Sequence, residues 1–72
     1  MKPETIARAY LACIELEERI RTESPEMAEE VGPLRGEVHA LLMQALRESN
    51  IPFHDRADAA HIAVDLVKGS AA

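Results

Sequence analysis

Residues 15–30 read ELEERIRTESPEMAEE, and this stretch decides the fold. Ser24-Pro25-Glu26 within it is a helix start. Ser24 suits the cap, Pro25 suits the first turn, where no backbone donor is needed, and Glu26 favours the positive end of the helix dipole. Helical periodicity runs up to this point and resumes directly after it. The stretch therefore joins two long helices through a short turn, and a short turn sets them antiparallel. It also carries the whole formal charge. Seven acids (Glu15, Glu17, Glu18, Glu23, Glu26, Glu29, Glu30) stand against two bases (Arg19, Arg21), while the other 56 residues are balanced. The expected picture is a helical hairpin with an acidic tip and an apolar base.

Before the turn, a first helix is expected over residues 3–22, with Pro3 at its first position. At about 100° per residue, Ile6, Ala9, Cys13, Leu16 and Ile20 form its main apolar stripe. Tyr10 flanks that stripe, and Leu11 and Ile14 lie outside it. After the turn, a second helix is expected over residues 25–48. Its seam is Met27, Val31, Leu34, Val38, Leu41 and Ala45, with steps of 4, 3, 4, 3 and 4. That is the rhythm of a coiled-coil-like contact. Pro33 lacks a donor, and the unbroken register of the seam favours a kinked helix over a broken one.

Asn50 ends the second helix, because asparagine tolerates the left-handed conformation after the cap. Ile51 then packs back on Leu46, Pro52 blocks continuation and Phe53 plugs the core. A third helix is expected over residues 55–68, capped by Asp55, with Ile62, Ala63, Leu66 and Val67 inward and Gly69 as its stop. No alternation of period two occurs. The chain reads as one all-α domain over residues 1–72, a three-helix bundle.

A core of 72 residues is marginal, and small domains of this size draw on disulfides, metals or oligomerisation. Cys13 is the sole cysteine, so no intrachain disulfide forms, and a lone thiol fits a reducing cytoplasm. Helix three is rich in alanine and hides little of the base. Homodimer or higher oligomer formation is therefore expected through Ile6, Tyr10, Leu11, Ile14, Val38, Leu42, Met43 and Leu46. The net charge of −5 opposes broad contact with phosphates or anionic lipid, so neither direct nucleic-acid binding nor membrane association is expected. No apolar run approaches the roughly 20 residues of a spanning helix.

Few residues point to chemistry. His54, Asp58, His61 and Asp65 fall on one helical face and are metal-ligand types, but that face is also where a polar surface belongs. His39 beside Leu42 reads as a partly buried edge residue with a backbone or water partner, with a pH-sensitive interface contact as the sharper alternative. Cys13 reads as a buried, inert thiol, with a thiol facing its symmetry mate as the alternative. No Gly-rich phosphate loop and no nucleophile–base pairing is present. No catalysis, cofactor or metal is expected. The expected role is a small cytoplasmic interaction module, a regulator, adaptor or inhibitor. Glu15, Glu18, Glu26, Glu29 and Glu30 would meet a protein partner with a basic surface. The alternatives are a nucleic-acid-associated regulator that needs a basic partner chain, and a metal-binding helical subunit.

Overall fold

Pro3, Pro25 and Asp55 each mark a helix start in the computed structural model, which describes residues 2–70. Three helices follow in order: α1 (Pro3–Glu23), α2 (Pro25–Glu48) and α3 (Arg56–Ser70). No strand occurs among the described residues. The helices form a small bundle in which α1 lies against both α2 and α3. Its long dimension of 38 Å is that of α2, since 24 residues rise about 36 Å at the α-helical pitch.

The junctions follow local chemistry. Ser24 alone separates α1 from α2; its N–H donates to the Ile20 carbonyl at 2.7 Å and its carbonyl accepts from Met27 N–H at 3.0 Å. Its hydroxyl makes no capping bond, so the backbone closes this turn. Asn50 takes φ 58°, and the end of α2 is a Schellman motif. Ile51 N–H donates to Leu46 O at 2.9 Å and Asn50 N–H donates to Arg47 O at 3.1 Å. Ile51 thereby packs on the core. Asp55 caps α3 by accepting from Asp58 N–H at 2.8 Å, and the Asp58 carboxylate accepts from His54 N–H at 2.9 Å. This reciprocal pair resembles a capping box.

Helix α2 runs unbroken through Pro33. The missing donor leaves the Glu29 carbonyl without its helical partner. Both residues are exposed, where a lost helical bond costs less than it would in the core. Helix α3 passes through Gly69 to Ser70 rather than stopping before it. Gly69 keeps a negative φ, and glycine without a left-handed turn does not end a helix.

The buried core is Ile6, Ala7, Tyr10, Leu42, Ala45, Leu46, Ala59 and Ala63. Half of it is alanine, which lets helices approach closely but contributes little area. This core corrects the expected stripes. On α1, Ile6 is buried, but Ala9 and Leu16 are exposed, and Ala7, Tyr10 and Glu17 turn inward instead. On α2, the heptad seam is divided: Ala45 is buried, Val31 and Val38 are half-buried, and Met27, Leu34 and Leu41 are exposed. The inward line is Arg35, His39, Leu42 and Leu46. The buried face of each helix is offset from the expected stripe by somewhat less than one residue step of about 100°, so Ile6 and Ala45 stay buried.

Candidate functional site

Glu17 is the most unusual residue inside the bundle, with 6% exposure. Its carboxylate holds two arginines. Arg21, one turn later on α1, donates to Oε1 at 2.6 Å, and Arg35 of α2 places Nε 2.5 Å from Oε2. The Arg35 contact is an ion pair without hydrogen-bond alignment, because Nε is buried and makes no geometrically sound bond. The two guanidinium side chains stay 64% and 42% exposed. Solvent therefore shares the positive charge while the carboxylate is held by protein. Two positive groups on one acid balance its burial.

His39 links all three helices. Its ring meets the Tyr10 ring edge-on, with centroids 4.7 Å apart and 61° between planes. Nε2 lies 2.9 Å from the Arg56 carbonyl at the start of α3. A carbonyl only accepts, so Nε2 carries the proton. The residue expected at an edge is thus a buried strut with a backbone partner.

The expected self-association residues fall into two groups. Ile6, Tyr10, Leu42 and Leu46 are buried within one chain, and Leu11, Ile14, Val38 and Met43 pack against them, partly buried. The first four cannot meet a second chain without the bundle opening. The reason is that α3, though rich in alanine, covers this side closely through Ala59 and Ala63.

The apolar side chains left in solvent are elsewhere. Leu16 is 53% exposed, Met27 51%, Leu34 56% and Leu41 48%. Sequence reading had them as inward seam positions. The heptad spacing of Met27, Leu34 and Leu41 predicts a helix–helix contact, and within one chain they make none that buries them.

The acids Glu15, Glu18, Glu26, Glu29 and Glu30 are all exposed near the junction of α1 and α2. A shallow depression there is lined by Glu15, Glu18, Arg19, Thr22 and Glu23. A second, at the start of the α2–α3 connection, is lined by Arg47 and residues 50–54, with the Arg47 guanidinium 5.3 Å above the Phe53 ring. Both are open. Asp58 of the polar stripe is engaged in capping, and no group of three or more His, Cys, Asp or Glu side chains is placed to hold a metal ion among the described residues. No helix is long and apolar enough to cross a membrane among them. In comparisons with known proteins, no family model, no curated protein and no solved structure matches this chain.

Proposed function

We propose that this chain is a helical interaction module that acts by occupying a surface of another macromolecule, as a regulator, adaptor or inhibitor. The observation that carries the reading is the set Leu16, Met27, Leu34 and Leu41, large apolar side chains about half exposed on a chain whose own core is half alanine. Exposed apolar groups gathered on one region mark contact sites. The scaffold is read as an antiparallel α1–α2 hairpin. Two contacts support that direction: Glu17 meets Arg35 and Tyr10 meets His39, so the position on α2 rises as that on α1 falls. The acidic tip then acts as a rim that repels acidic surfaces and tolerates basic ones.

The test is affinity capture from nuclease-treated lysate with three baits: wild type, Leu34→Glu/Leu41→Glu, and Glu26→Lys/Glu29→Lys/Glu30→Lys. A protein recovered by wild type and by the tip variant, but lost with the leucine variant, is the expected result. Recovery lost only with the tip variant moves the contact to the acids. Equal recovery by all three baits, or by none, removes the reading.

A further inference from the structure

We infer that the flank of α1 and α2 turned away from α3 is a groove for a basic amphipathic helix of another protein. The inference rests on the interaction-module reading and names the chemistry of its partner.

The placement comes from the helical turn. Leu16 precedes Glu17, Leu34 precedes Arg35 and Leu41 precedes Leu42. Each exposed leucine sits one residue before a group in the α1–α2 contact or the core. One step back turns about 100° in the same sense on either helix. On antiparallel neighbours, the same sense leads to the same side. Leu16 therefore shares a face with Leu34 and Leu41. His39 lies on the other flank of α2, about 140–160° round from Leu34 and Leu41, and it is His39 that bonds the Arg56 carbonyl of α3. Helix α3 covers one side of the pair and leaves the other open.

Shape points to a helix. Met27, Leu34 and Leu41 stand two turns apart on α2, and each is about half exposed, as is Leu16 across the groove on α1. Leu41 follows Met27 by 14 positions, a rise of about 21 Å. A straight apolar line of that length matches about four turns of a partner helix with apolar groups at every third or fourth position. Helix α3, with 15 residues, is of similar length and lies against both α1 and α2. The pair already accepts a helix of this size on its other side. The described residues hold no sheet edge for an extended segment to join.

Charge sets the sign. Outward from the apolar line on α2, within about 80°, come Glu26, Glu30, Glu37 and Glu48, all exposed, and no base. The outer edge of α1 carries Glu15 and Glu23 with Arg19, also exposed. Six acids therefore border the groove against one base. Glu37 and Glu48 lie well beyond the turn at Ser24, so the acidic edge runs along α2 and is not confined to the tip. Lysines or arginines flanking the apolar face of an incoming helix meet these carboxylates at the rim, where both charges stay in water. A second copy of this chain brings the wrong sign. A twofold axis along the hairpin sets two acidic tips together, and one across it sets two glutamate edges together, and like charges set against each other oppose association.

Fluorescence anisotropy tests this on the whole chain with three labelled peptides of about 18 residues, five helical turns. The first has leucines on one helical face and lysines along its flanks. The second replaces the lysines with glutamates. The third keeps the composition of the first in an order that abolishes the face. Wild type is expected to bind the lysine peptide at least about tenfold more tightly than either of the others. Leu34→Gln/Leu41→Gln should weaken that binding by more than about tenfold, through the loss of two apolar contacts. Glu30→Gln/Glu37→Gln should weaken it by about threefold to tenfold, the range for two rim ion pairs, and should not weaken the glutamate peptide. Far-UV circular dichroism checks that each variant is folded; if glutamine unfolds the chain, Leu34→Ala/Leu41→Ala carries the same comparison. No binding of the lysine peptide, equal binding of the lysine and shuffled peptides, or full binding by a folded leucine variant overturns the groove. Equal binding of the lysine and glutamate peptides overturns its charge preference. Sedimentation of wild type at twice the 7.9 kDa chain mass, with the leucine variant at the single mass, gives the face to a second copy and also overturns the inference. The lysate comparison stands apart: a protein lost there with the leucine variant, without peptide binding here, keeps the interaction-module reading and rejects only the basic helix.

Discussion

Arg35→Met isolates the cross-helix half of the Glu17 cluster, because methionine keeps the apolar stem and removes the guanidinium. In the native chain, the Glu17 carboxylate holds Arg21 at 2.6 Å and Arg35 at 2.5 Å. Removing one partner of a fully buried pair costs about 3–5 kcal/mol, and an exposed pair contributes about 0–1 kcal/mol. This pair lies between those limits. Glu17 is 8% exposed and Arg35 is 42% exposed at the side chain, and Arg21 remains to hold the acid. The expected loss is therefore about 1–2 kcal/mol, or roughly 4–16 °C in melting temperature for a domain of this size.

Glu17→Gln alone should cost a similar amount, since it weakens both arginine contacts. The double variant should cost less than the sum of the two, with a coupling of about 1 kcal/mol. Urea unfolding followed by circular dichroism at fixed protein concentration gives all four corners of the cycle, and fixed concentration keeps any self-association constant. Two variants that add without coupling would refute the reasoning. The ion pair would then contribute no more than a surface pair, and the inward turn of Glu17 would need another cause.

Gly36→Ala should stabilise α2 by about 1 kcal/mol, because an added Cβ at Gly36 meets nothing within 4 Å. Gly32→Ala has the same open space but precedes Pro33, whose ring crowds the helical conformation of the residue before it, so its gain should be smaller. Equal melting temperatures for wild type and Gly36→Ala would contradict this. His39→Phe keeps the ring beside Tyr10 but removes the side-chain donor from the Arg56 carbonyl, which keeps its bond within α3, and should cost about 0.5–1.5 kcal/mol. Hydrogen exchange should show the first turn of α3 opening more readily in that variant, and unchanged exchange there would argue against the strut.

Much of the fold was legible because helix ends are written locally. Pro3, Ser24-Pro25, Asn50-Ile51-Pro52 and Asp55 act within a few residues of their own position, through fixed φ, a left-handed turn or a capping carboxylate. Gly69 was the exception, since glycine permits a stop without compelling one. The exposed acids near Ser24 were legible for the same reason, except Glu17. Its burial depends on Arg35, 18 positions away, and no local rule pairs them.

The sequence by itself determined three helices, their limits to within a residue or two, and two apolar flanks on each of α1 and α2. Only the tertiary structure decided which flank faces inward. Ala7 and Tyr10 compete with Ala9, Cys13 and Leu16 on α1, and Leu42 and Leu46 compete with Leu34 and Leu41 on α2. Periodicity records that both flanks are apolar and cannot rank them. The choice follows from what each flank meets. Small Ala59 and Ala63 let α3 join the buried cluster of Leu42 and Leu46, His39 reaches the Arg56 carbonyl, and Glu17 reaches Arg35. These contacts join residues far apart in the chain and exist only once the helices are packed.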